Sequence, residues 1–195
     1  MSYSSLWEIS KDFNGQRCSE YHNSFLFSPI VWEVLCDKYL HREFSMFRIN
    51  GEYDVLNREL NNSRVTSDRV CWELSNQQIF WSKDKAVVAA CIEKFLTEND
   101  KYGKFDGVSI LKRDHIQDRF RQIAQDIREM ESEYFVFKNS SVDDTVESWF
   151  YDYENDCPVP LNKDHAEFVV MKEGQIAYFV FAKELMEGKK NEDKN

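Results

Sequence analysis

Four side chains able to ligate a metal fall near the start of the chain. Cys18, His22, Cys36 and His41 form a C-x3-H…C-x4-H arrangement that superficially matches a four-ligand zinc set. The second pair undoes it. Five residues of helix separate Cys36 from His41, which is about 140° around the axis, so the two cannot readily face one ion. Asp152, Glu154 and Asp156 match the first three ligand positions of a calcium-binding helix–loop–helix. Cys157 then stands where that loop needs glycine, Pro158 follows, and Lys163 replaces the closing glutamate. Cys157 and His165 could be a thiol and a base, but nearness in the chain does not put them in contact. Asp114-His115 reads more economically as a helix cap and a first-turn residue than as an acid and base. Glu192-Asp193-Lys194 mimics a nuclease triplet only because the terminus is built from such residues. No glycine-rich phosphate loop, GxSxG or HExxH is present. No metal, cofactor or catalytic activity is therefore expected.

What remains is a contact surface. Asn139 to Asn162 holds six acids, no lysine or arginine and four aromatic residues, while the rest of the chain carries only −4 of the net −10. Six carboxylates without a nearby base repel one another, and a basic surface would relieve that repulsion. If Val146 to Tyr153 is one extended strand, Glu147, Trp149, Tyr151 and Tyr153 share a face and Val146, Ser148, Phe150 and Asp152 the other. Burying either face leaves a large aromatic beside carboxylates on the opposite side, the composition protein interfaces use as anchors. Asp143 and Asp144 before the strand, and Glu154 and Asp156 after it, extend the negative rim.

The elements that must position this stretch are readable from period and punctuation. Leu6 to Phe13 reads as a strand, and Asn14-Gly15 as a hairpin turn whose residues tolerate positive φ. Ser28-Pro29 starts a helix to about Arg42, with Val31, Val34, Leu35 and Tyr39 on one side. Phe44 to Leu56 reads as a second hairpin around Asn50-Gly51, with a short helix over Asp54 to Leu60 as the alternative, and a polar surface loop follows from Asn57 to Arg69. Gln78 to Trp81 is a strand, and a helix capped by Ser82 or Asp84 runs to about Glu98 with Val88, Cys91, Ile92, Phe95 and Leu96 on one face. Val108 to Leu111 is a short strand. Ile116, Phe120, Ile123, Ile127 and Met130 recur at helical spacing from Asp114 to about Glu131. Tyr134 to Lys138, Phe168 to Lys172 and Gln175 to Ala182 are apolar at consecutive positions, which implies strands covered on both faces.

These signals predict one α+β domain over residues 1–186, an antiparallel sheet packed by about three amphipathic helices, and a disordered charged tail over 187–195. The chain has 195 residues, enough for a core without disulfides or metals. Five widely spaced cysteines read as reduced thiols. The first ten residues do not read as a signal peptide and no apolar run approaches the roughly 20 residues of a membrane span, so a cytoplasmic protein without membrane contact is expected. A net charge of −10 disfavours direct nucleic-acid binding.

In size, acidity and lack of catalytic motif the chain resembles bacterial immunity proteins. That resemblance implies a non-catalytic inhibitor that covers the active site of a basic, nuclease-type toxin. Asp143, Asp144, Glu147, Asp152, Glu154 and Asp156 would then steer and pair with Lys or Arg, while Trp149, together with Tyr151 or Tyr153, would anchor. The other readings are a phage-type inhibitor mimicking nucleic acid, a subunit of a larger assembly, and an enzyme with an unrecognised carboxylate site.

Overall fold

A computed structural model describes residues 3–41, 49–139, 146–161 and 166–192. In chain order it contains β1 (Tyr3–Ile9), β2 (Gly15–His22), α1 (Ser28–Leu40), α2 (Ile49–Asn62), α3 (Thr66–Ser75), β3 (Ile79–Trp81) and α4 (Lys85–Glu98). Then come β4 (Lys104–Phe105), β5 (Val108–Ser109), α5 (Asp114–Arg128), β6 (Tyr134–Asn139), β7 (Tyr151–Asp152), β8 (Cys157–Pro158), β9 (Glu167–Lys172), β10 (Gln175–Phe181) and α6 (Ala182–Glu192). The class is α+β, as the alternation of strand-like and helix-like periods predicts. The chain forms two compact units, one from Met1–Ser24, Gln77–Lys85 and Glu129–Asn195, the other from Phe25–Asn76 and Ala86–Arg128.

The first unit is a six-stranded sheet in the order β10-β9-β3-β6-β1-β2. All neighbours are antiparallel except β3 and β9, which pair in parallel through Ile79↔Phe168 and Phe80↔Val169. Burial on both faces explains the apolar runs of β6 and most of β9, but not that of β10, an edge strand on which Tyr178 and Phe181 are each 48% exposed. On one side Trp7, Ile9, Ile79, Tyr134, Val136 and Phe168 join a core with Phe13, Trp149, Phe150 and Leu161, against which Leu185 and Met186 of α6 pack. The alternate residues Leu6, Phe80, Phe135, Phe137 and Val169 are also fully buried. Fully burying each such side chain contributes about 1.5–3 kcal/mol. The charged terminus read as a disordered tail is helical as far as Glu192, because Leu185 and Met186 one turn into α6 have the sheet core to pack on.

The first turn lies where Asn14-Gly15 predicts it, but for another reason. Positive φ occurs at Phe13 (64°), not at the glycine. Ile9 pairs with Gly15 across a five-residue loop closed by Ser10 N–H to Asn14 O (2.9 Å) and Phe13 N–H to Ser10 O (2.9 Å). Phe13 is held in that backbone by its ring, which stacks on Tyr134 at 5.8 Å and meets Phe168 edge-on at 6.2 Å.

The second unit is helical. α1, α4 and α5 follow the predicted periods, and Phe120 on α5 meets Phe27 at 4.7 Å and Phe95 of α4 at 6.1 Å. The hairpin predicted around Asn50-Gly51 is not formed: α2 runs through both residues, and α2 and α3 take up most of the predicted Asn57–Arg69 loop. Glu52, Leu56 and Leu60, four residues apart, are all buried, and this helical stripe outweighs the alternation at Tyr53 and Val55. Between β4 and β5, Asp106 (53°) and Gly107 (79°) both take positive φ, as a two-residue hairpin turn requires.

Candidate functional site

The acidic stretch leaves the sheet at the end of β6. Asp143, Asp144, Lys163 and His165 lie outside the described residues. Val146 to Tyr153 is not the single strand expected; Val146–Trp149 is a 3-10 turn and only Tyr151–Asp152 is extended. Trp149 and Phe150 are sequence neighbours and both are buried, at 4% and 5% exposure. A strand sends neighbours to opposite faces, so two adjacent rings can enter one core only if the backbone turns.

Each ring has a defined seat. Trp149 lies under Lys138, whose Nζ stands 3.6 Å from the ring centroid although the lysine is itself fully buried on β6. Phe150 stacks on Trp7 at 5.1 Å, and its ring lies over the bare backbone of Gly15. Trp149 is thus part of the core and not a surface anchor. Glu147 falls in the turn, and its side chain lies outside what the structure describes.

Beyond Phe150 the chain makes a short hairpin, with Tyr151 opposite Pro158 and Asp152 opposite Cys157. Its base is tied by Val159 N–H to Phe150 O (3.0 Å) and Leu161 N–H to Phe13 O (2.8 Å). The tip is organised by Asp152. One carboxylate oxygen accepts from the backbone N–H of Glu154 (2.9 Å) and Asn155 (3.2 Å), and the other from Asn155 Nδ2 (2.7 Å). The Asn155 side-chain bond, then the backbone bonds, hold the Asp152 carboxyl below the usual aspartate range. The Tyr151 hydroxyl donates to Asp156 Oδ1 at 2.7 Å, which pushes that phenol up. Tyr153 leans on Tyr151 at 5.1 Å and is 62% exposed, with Glu154, Asn155 and Asp156 exposed beside it.

Of the nine residues singled out, the hairpin brings together Tyr151, Asp152, Tyr153, Glu154 and Asp156. Asp152 and Asp156 hold the hairpin's own shape, leaving Tyr153 and Glu154 as the side chains most open to contact. Among the described residues, no three His, Cys, Asp or Glu side chains converge as a metal would require. Cys18 and His22 lie on β2 of the sheet unit, Cys36 and His41 on or just after α1 of the helical unit. Asp114 and His115 are exposed at the start of α5.

A polar cluster in the helical unit was not visible in sequence. Asp68, fully buried on α3, accepts from Lys38 Nζ (2.5 Å) and the Tyr39 hydroxyl (2.7 Å) of α1 and from Asn99 Nδ2 (2.7 Å) after α4. Lys38 also donates to Asn99 Oδ1 at 2.7 Å, and the Tyr39 hydroxyl meets Ser63 Oγ at 2.8 Å. Burial is the main reason the Tyr39 phenol is pushed up. Its donors and acceptors satisfy one another, so the cluster sets the register of three helices. Its only sequence signal was an aspartate within NNSRVTSDR, a stretch polar enough to read as loop. Comparison with protein families, with characterised proteins and with solved structures finds no match to this chain.

Proposed function

We propose that the protein is a non-catalytic binding protein whose Tyr151–Pro158 hairpin docks on a basic protein surface. It would act as bacterial immunity proteins do, by covering the active site of a nuclease-type toxin. One observation carries the reading: a tyrosine ring stands clear at the tip of a fixed hairpin, surrounded by carboxylates, with no lysine or arginine between Asn139 and Asn162. An exposed aromatic with little rotamer freedom is a good anchor, and its acidic collar selects a cationic partner and speeds encounter. Because the turn is already closed by Asp152, little ordering would be needed on binding.

The test is capture of partners from the native host, followed by binding kinetics with the purified partner. A basic protein is expected, with an association rate that falls as salt rises. Glu154→Lys should slow association about tenfold, and Tyr153→Ala should speed dissociation by a factor of roughly 30, the effect of losing about 2 kcal/mol. Neither variant should change the melting temperature, since both side chains are exposed. A neutral or acidic partner, or association indifferent to salt, would overturn the proposal. Displacement by polynucleotide would point to a nucleic-acid mimic instead.

A further inference from the structure

The two edges of the six-stranded sheet are built differently. The order β10-β9-β3-β6-β1-β2 leaves β10 and β2 without an outer neighbour among the described strands. An edge strand presents a row of backbone N–H and C=O groups with which another strand can pair, and charged side chains in the strand are an ordinary guard against it. β2 has that guard: Arg17 and Glu20 lie in it, exposed and bonded to each other at 2.7 Å. β10 does not. Its seven residues, QIAYFVF, contain no charge, proline or glycine, the composition of a segment that pairs readily with its like. Tyr178 and Phe181 are each 48% exposed and, three residues apart, stand on opposite faces of the strand, so apolar surface flanks the edge above and below. Lys172 Nζ lies 5.4 Å from the centroid of the Tyr178 ring, but Lys172 belongs to β9, the inner neighbour, and does not guard the outer edge. A bulge at Ala177 twists the strand locally, and Tyr178–Phe181 resume a regular register with β9 beyond it.

The occupant that fits such an edge is the same strand in a second copy. Two identical strands pair antiparallel about a two-fold axis, and an axis at Tyr178 runs Gln175–Phe181 of the two chains alongside each other with no charge between them. Just outside, Glu173 in the turn before β10 comes opposite the second copy's Lys183 in the first turn of α6, since each lies five residues from Tyr178 and both are exposed. Parallel pairing would set each of these charges against its own kind. Within one chain they stand at opposite ends of β10, roughly 20 Å apart at about 3.3 Å per residue, and cannot pair. The two-fold contact consumes the β10 edge of both copies and leaves only the guarded β2 edges, so association stops at two chains instead of growing into a filament. We propose that two copies of this protein associate through antiparallel β10–β10 pairing, which joins their sheets into one.

The experiment is sedimentation equilibrium of the full chain across micromolar concentrations, with amide hydrogen exchange followed at the low and high ends of the range. A reversible monomer–dimer equilibrium is expected, in which outward-facing β10 amides gain protection as the dimer forms and β2 amides do not change. Tyr178→Lys sets two ammonium groups side by side at the axis and should weaken the dimer about tenfold or more. Glu173→Lys should weaken it about fivefold, and adding Lys183→Glu should restore it, a recovery that simple damage to the chain would not show. Should Tyr178→Lys lose its near-ultraviolet circular dichroism, the charge-reversal pair carries the same test. A chain monomeric throughout, a dimer indifferent to these variants or formed without protection of β10, or assembly beyond the dimer would overturn the proposal.

Discussion

A Cβ on Gly15 would stand 2.4 Å from the Phe150 ring, closer than any real contact, so Gly15 is needed for space and not for its backbone angles. Gly15→Ala should cost about 1–3 kcal/mol in urea unfolding, because Phe150 must leave its stack on Trp7. At Gly188, on α6, nothing lies within 4 Å of an added Cβ, and the same substitution should stabilise by up to about 1 kcal/mol. Opposite signs for one chemical change would separate crowding from helix propensity. Asp152 offers a second test at this scale. Its folded-state pKa is depressed, so its hold on the turn is complete above the unfolded value of about 3.9 and is lost as pH falls through the lower folded value. The amide resonances of Glu154 and Asn155 should therefore stay constant through neutral pH and move only in that acidic window. A transition above pH 5 would contradict the turn geometry.

The second pair of helices shows why some elements were legible and others were not. α5 repeats large apolar residues over four turns, and no other local signal competes with that period. In α2 the Asn-Gly pair and the Tyr53/Val55 alternation locally favour a hairpin, and only the helical packing of Leu56 and Leu60 reverses the preference. The first turn of α3 looked like loop because Ser67 and Asp68 are polar, yet both are buried. Their partners, Glu98 for Ser67 and Lys38, Tyr39 and Asn99 for Asp68, come from elsewhere in the unit, and no local window contains them. Asp68→Ala would leave the Lys38 ammonium, the Tyr39 hydroxyl and Asn99 facing an empty acceptor site, at a cost of about 3 kcal/mol in equilibrium unfolding. Lys38 keeps 15% side-chain exposure and can recover some water, which places the cost at the lower end for a broken buried pair. Tyr39→Phe, which removes one donor and leaves the Lys38–Asp68 pair, should cost about 1 kcal/mol.

Across the whole molecule the chain passes between its two units several times, so the sheet unit is assembled from three separated stretches. No helix among the described residues is long and apolar enough to cross a membrane. The cysteines are distributed over both units, and their environments predict one behaviour for the intact protein. Cys36, Cys71 and Cys91 are buried, Cys18 is exposed and Cys157 half-buried. Burial pushes the Cys91 thiol up to about 11 and the Cys71 thiol up as well, which keeps both protonated and inert at neutral pH. A thiol-specific chromophore should therefore label two cysteines in the native protein and all five in denaturant. Rapid native labelling of a third would show that a core opens.

Read without coordinates, the chain determines its class, most of its strands and the helices α1, α4 and α5, because apolar period and capping residues are local properties. It also determines the acidic, base-free composition of the hairpin region. Tertiary structure alone decided which aromatics of that region face outward. Trp149 turns in beneath Lys138, and Phe150 onto Gly15 and Trp7, partners 11 and more than 100 residues distant in the chain; Tyr153 is left on the surface. The same holds for the Asp68 cluster, whose members come from separate helices and the turn after α4. Such contacts depend on what the rest of the fold brings alongside, and no periodicity along one segment encodes that.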